Sequence, residues 1–163
     1  MPECSTCEVD KRAKLQLDVN WAELAPEGVP LAQMVQDQRL DEDIMPIIQA
    51  VLEGARPHLQ EVVGYSNRTR TMWHQFQSLE IRGKLLYRRL EHPLGLPGKE
   101  VYQLVLPSKP IENTVRFYHG QIGEANHFGM AKTLAHLQRF FWWPTMKKDV
   151  TAYIMRCELC RRL

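Results

Sequence analysis

Two histidines and two cysteines in the last third of the chain have the types and order that bind a borderline-soft divalent metal. They run His119, seven residues, His127, 29 residues, Cys157, two residues, Cys160. Imidazole nitrogen and thiolate sulfur are the donors zinc prefers, four of them in a tetrahedron. A Cys-x-x-Cys pair can place two sulfurs on one ion, and a second pair elsewhere completes the shell. Taken alone, Cys157 and Cys160 read equally well as buried free thiols; the two upstream histidines favour zinc. Four protein ligands leave no position for water, so the ion would be structural and not catalytic. The 29-residue span exceeds the dozen or so residues between ligand pairs in a DNA-reading finger, and it has room for two helices. The metal would then join the start of a helix pair to its finish. A core of roughly 60 residues is marginal by itself, and structural zinc contributes about 10 kcal/mol or more once the fold forms.

The remaining histidines, His58, His74, His92 and His136, read as surface or internally satisfied residues. Cys4 and Cys7 form a second Cys-x-x-Cys without a partner pair at suitable spacing, and without the flanking strand and helix of a redox motif. No apolar run approaches the roughly 20 residues of a membrane span, and the N-terminus lacks the basic-then-apolar order of a signal peptide. A soluble intracellular protein, in nucleus or cytoplasm, is expected, with no membrane partner and no small-molecule substrate. The net charge of +2 conceals a division. Residues 1–104 carry 12 Lys+Arg against 15 Asp+Glu, and residues 105–163 carry 9 against 4. Zinc with two thiolates and two neutral imidazoles leaves that basic excess intact. Lys132, Arg139, Lys147, Lys148, Arg156, Arg161 and Arg162 are therefore candidates for phosphate contact, with a solvated surface as the alternative for each.

The elements that must position these groups follow from periodicity. Residues 1–40 mix charge with Pro26, Gly28 and Pro30 and read as a loosely ordered leader. Asp41, Glu42 and Asp43 precede Ile44, Ile47, Ile48, Val51 and Leu52 at helical spacing, closed by Gly54. Met72, Trp73, Phe76 and Leu79 predict a second helix over 69–79. Apolar runs flanking Arg82-Gly83-Lys84 predict a β-hairpin, and 101–106 a third strand ended by Pro107. These make a small α+β unit over 41–108. From Pro110, Ile111, Val115 and Tyr118 predict a helix that carries His119 at its end. Met130, Leu134, Leu137 and Phe141 predict the next, running into Phe140-Phe141-Trp142-Trp143. After Pro144, Met146, Val150, Tyr153 and Ile154 mark the last, with Cys157 and Cys160 just beyond it. The aromatic run offers a competing function, a protein-interaction module in which zinc only stabilises the fold and the aromatics dock a partner.

From His119 onward the residues resemble the N-terminal His-His-Cys-Cys zinc-binding domain of gypsy-type long-terminal-repeat retrotransposon integrases. The matching features are His119, Asn126-His127-Phe128-Gly129, Lys132-Thr133-Leu134, Phe141-Trp142-Trp143-Pro144-Thr145-Met146, Asp149-Val150, Tyr153-Ile154 and Cys157-Glu158-Leu159-Cys160. Upstream, Met72-Trp73 to Leu79, Gly83-Lys84-Leu85-Leu86-Tyr87-Arg88 and Leu104-Val105-Leu106-Pro107 are similar to the segment that precedes that domain. The resemblance implies a zinc-closed helical bundle over 109–163 with a small extension domain before it, and His119, His127, Cys157 and Cys160 as ligands. It also implies DNA and other integrase chains as partners in DNA integration, whether the source is a transposable element or a host-retained remnant. Family members commonly have Gly where Asn126 stands; Asn also tolerates left-handed backbone angles. An integrase cuts and joins DNA with three carboxylates on a core that follows the zinc domain. That core is not found here, so a non-enzymatic module is expected.

Overall fold

The computed structural model describes residues 31–162 apart from 93, 97 and 121–126. Cys4, Cys7, Gly123 and Asn126 lie outside the described residues. Among the described residues, eight α-helices and a four-stranded sheet make a mixed α+β arrangement. The order is α1 (Leu31–Leu40), α2 (Met45–Glu53), α3 (Leu59–Val62), α4 (Asn67–His74), β1 (Leu79–Arg82), β2 (Leu85–Leu90) and β3 (Val101–Val105). There follow α5 (Ile111–Gly120), α6 (Met130–Leu137), β4 (Phe141–Trp142), α7 (Met146–Arg156) and α8 (Glu158–Arg161).

Helix α1 occupies residues expected to belong to the leader. Its hold on the sheet comes from one polar side chain. The Gln38 amide is fully buried; it donates to Leu86 O (3.2 Å) and Val105 O (2.7 Å) and accepts from Leu86 N–H (2.9 Å). Around it the sequence is polar enough to hide the pattern, and Met34 supplies α1's buried apolar contact. Helix α2 forms where expected, and Gly54 ends it in the left-handed region at φ 71°, its N–H donating back to Val51 O. The second predicted helix starts earlier and stops earlier than 69–79. Ser66 caps α4 by accepting from Thr69 N–H at 3.1 Å, and after His74 the chain tightens into a 3₁₀ turn and extends at Leu79.

The β1–β2 hairpin pairs Arg82 with Leu85 across Gly83-Lys84, and Gly83 adopts φ 61°. β2 pairs antiparallel with β3, Tyr87 facing Leu104. The expected three-stranded unit has a fourth strand. Phe141 and Trp142 leave the helix predicted for them and lie parallel to β3, with Leu104 N–H donating to Phe140 O and Leu106 N–H to Trp142 O. A two-residue strand inside an uninterrupted aromatic run has no period to betray it.

The sheet divides two cores. On one face Leu85, Leu104, Phe141 and Trp143 pack with Ile111, Val115 and Tyr118 of α5, Leu137 of α6, and Met146 and Val150 of α7. On the other, Leu79, Leu86, Val105 and Trp142 pack with Ile44, Ile47 and Ile48, and with Met72 of α4. Phe141, Trp142 and Trp143 are buried and Phe140 is half-buried, so most of the aromatic run is core and not docking surface. Met130, expected on the buried stripe of α6, is instead exposed.

Candidate metal centre

Helix α5 carries His119 in its last turn on the buried side, one residue after Tyr118. Its C-terminal position leaves the His119 carbonyl free to accept from Phe128 N–H at 3.1 Å, and this ties the returning chain to the helix end. His127 stands immediately before that tie. At the other end of the module, α7 stops at Cys157, whose extended backbone also begins α8, and the short helix brings Cys160 back toward Cys157.

The donor atoms of His119, His127, Cys157 and Cys160 all lie within 4.8 Å of one another. His127 Nδ1 is 3.0 Å from His119 Nε2, Cys157 Sγ is 3.2 Å from His127 Nδ1, and Cys160 Sγ is 3.4 Å from His119 Nε2. Zinc–nitrogen bonds of about 2.05 Å and zinc–sulfur bonds of about 2.3 Å in a tetrahedron give edges of about 3.4 Å between two nitrogens and about 3.6 Å between nitrogen and sulfur. The approaches fall short of those edges by a few tenths of an ångström. Two nitrogens and two sulfurs aimed at one point are the donor set of a single zinc ion. The 3.0 Å nitrogen–nitrogen approach would also suit a shared N–H···N hydrogen bond; it is the two sulfurs closing on the same two nitrogens that make the group a cation's donor set.

The surrounding contacts select the correct tautomer. His119 Nδ1–H donates to Phe128 O at 2.7 Å, which leaves the Nε2 lone pair for the metal. Thr133, fully buried in α6, donates its hydroxyl to the same carbonyl at 3.1 Å. Tyr153 of α7 meets the His119 ring edge-on at 5.8 Å. Burial, and secondarily the His127 ring, holds the His119 imidazole below its ordinary pKa, against the raising effect of the Phe128 bond. Burial first, and then the Cys157 sulfur, push the Cys160 thiol up. Both shifts favour the neutral forms of His119 and Cys160 in the metal-free chain; a bound cation reverses the balance for sulfur and stabilises the thiolate.

Residues 106–163 match the family described as the integrase zinc binding domain. The four converging side chains all fall inside that segment. The chain is also similar to the Pro-Pol polyprotein of Feline foamy virus, 25% identical over 84 residues, with 42% of this chain and 7% of the polyprotein covered. It thus spans a small fraction of that relative. No solved structure matches it. A retroelement integrase zinc domain is what the motif suggested, and the family match supports it at that level.

His136 does not join the cluster; its ring lies 5.5 Å from that of Phe128. All seven basic candidates are exposed. Lys147, Lys148 and Arg156 lie on the outer side of α7, and Arg161 and Arg162 at the end of α8. Lys132 Nζ sits 5.2 Å from the Phe128 ring and the Arg139 guanidinium 5.7 Å from the Phe140 ring. None of the seven makes a salt bridge among the described residues. The Phe128 carbonyl was missed by sequence reasoning, because a main-chain acceptor leaves no side-chain signature. Among the described residues no helix is long and apolar enough to cross a membrane.

Proposed function

We propose that the chain is a non-catalytic zinc-binding part of a gypsy-type retroelement integrase, with one structural ion held by His119, His127, Cys157 and Cys160. Residues 109–163 form the zinc-binding unit, and residues 41–108 the extension that seats it. The convergence of four donors inside the segment similar to integrase zinc domains carries this reading. The unit contacts DNA through Lys132, Arg139, Lys147, Lys148, Arg156, Arg161 and Arg162, and it supports assembly with other integrase chains in nucleus or cytoplasm. What the bound ion supplies is a cross-link between the end of α5 and the α7–α8 junction.

Metal analysis of the purified chain tests this directly. One zinc per chain is expected, and Cys157→Ser should lose both the metal and the ordered structure of α8 and the last turns of α7. Full folding after complete zinc removal would refute the structural role. For DNA, affinity for a short duplex should fall steeply with rising salt, by about 0.9 in the log–log slope per phosphate neutralised. A flat response would refute phosphate contact.

A further inference from the structure

Besides Leu94, Leu96, Val101 and Met130, the exposed large apolar side chains fall in two clusters flanked by charge. One is the run from Leu40 to Val63, where Leu40, Met45, Leu52, Leu59 and Val63 face solvent, Leu40 with 71% of its surface exposed. Part of this run borders a groove of about 780 Å³ between α2 and the chain from Ala55 to Tyr65, with Leu40, Met45, Pro46, Pro57 and Tyr65 among its walls. Four carboxylates, Asp41, Glu42, Glu53 and Glu61, rim the groove against Arg39 and Arg56. Arg56 is engaged, its guanidinium stacked 4.0 Å from the Trp73 ring. The other place is the tip formed by α7 and α8. There Met155 and Leu159, 70% and 55% exposed, stand among Arg156, Arg161 and Arg162.

The two patches are complementary in kind. One is concave, apolar and acidic at its rim; the other projects, is apolar at its centre and carries three arginines. Phosphate contact requires charge and gains nothing from an exposed methionine and leucine, whereas a protein interface places apolar anchors inside a charged rim. We infer that the α7–α8 tip of one chain docks into the acidic apolar groove of a second copy, Met155 and Leu159 entering between Glu42 and Glu53. The inference rests on the proposed assembly role and names its partner. Tip and groove are different surfaces, so two such contacts about a two-fold axis close a dimer, and any other rotation continues to a ring or filament. The division of labour also narrows the DNA face to Lys132, Arg139, Lys147 and Lys148.

Sedimentation velocity of the zinc-loaded full chain over a range of concentration and salt tests the contact, with zinc content as the folding control for every variant. The chain should self-associate reversibly, less so at high salt. Glu42→Lys with Glu53→Lys should weaken association by about tenfold or more, as should Arg156→Glu with Arg162→Glu, since like charges would meet in each. Mixing the two double variants should restore association, because each supplies the charge the other's natural surface now lacks. Association that ignores both reversals overturns this interface and leaves the assembly role standing. A chain that stays monomeric at every concentration while keeping its zinc overturns the interface and the assembly role together.

Discussion

Gln38 offers the sharpest test of how the fold is held, because its amide replaces main-chain partners at the junction of β2 and β3. Gln38→Leu keeps nearly the same volume but leaves Leu86 N–H, Leu86 O and Val105 O without the partners they have now. Each buried unpaired group costs about 1–3 kcal/mol. Three of them give roughly 3–9 kcal/mol, partly offset by about 1–2 kcal/mol from the added apolar surface. The net loss should be about 1–8 kcal/mol, read as a lower urea midpoint of the zinc-loaded chain at unchanged slope. Gln38→Glu separates hydrogen bonding from packing. A carboxylate there still accepts from Leu86 N–H but faces two carbonyl oxygens, so the folded state favours the protonated acid and raises its pKa. The variant's relative stability should be greatest below the unfolded glutamate value of about 4.3 and should fall as pH rises through the raised folded value. A Gln38→Leu loss under about 1 kcal/mol, or a Gln38→Glu variant that tracks the natural chain at every pH, would refute the claim that this amide clips α1 to the sheet.

Other consequences are as direct. Tyr118 is buried with no hydrogen-bond partner for its hydroxyl among the described residues, and burial drives its pKa far above the ordinary value. Tyr118→Phe should therefore be neutral or stabilising by about 1 kcal/mol in urea unfolding, and a loss of 2 kcal/mol or more would reveal a hidden partner. Thr133→Val removes the hydroxyl that steadies Phe128 O; zinc should bind about 10-fold or more weakly in chelator competition, and unchanged affinity would exclude the supporting role. His119 is held below its ordinary pKa, so the unfolded chain takes up this proton first. Stability of the metal-free chain should be intact above about pH 6.5 and fall as pH drops through the lower folded value, and zinc release by acid runs in the same direction. A metal-free chain more stable at pH 5 than at pH 7 would contradict that sign.

Chemistry-bearing spacing was legible, and tertiary accommodation was not. The ligand set could be read because zinc constrains residue type directly, and the helices carrying it could be read because Ile111, Val115 and Tyr118, or Met146 and Val150, repeat at 3.6-residue spacing on faces that are buried. Gln38 could not, since a glutamine in a polar stretch gives no sign that two strands will present it with carbonyls. The end of α6 was missed for a different reason. Phe141 continues the helical spacing from Leu134 and Leu137, yet pairing with Leu104 beside β3 offers the same burial together with main-chain hydrogen bonds. Where two conformations bury the same side chain, the partner decides, and the partner lies 37 residues upstream in the register Leu104 to Phe141.

That pairing determines how far a change at the metal should travel. Zinc joins the end of α5 to the α7–α8 junction, while β4, between α6 and α7, is fixed to β3. Trp143 donates its indole N–H to Asp149 at 2.8 Å, and Thr145 donates its hydroxyl to the same carboxylate at 2.6 Å, so the start of α7 is anchored beside the sheet independently of the ion. Removal of zinc therefore acts on α7 from its far end. Amides of α8 and the last turns of α7 should lose hydrogen-exchange protection first, those near Asp149 and Val150 later, and those of β2 and β3 least. Uniform loss across the sheet at the first withdrawal of metal would mean that the ion supports the whole core and not only the helical end it clips.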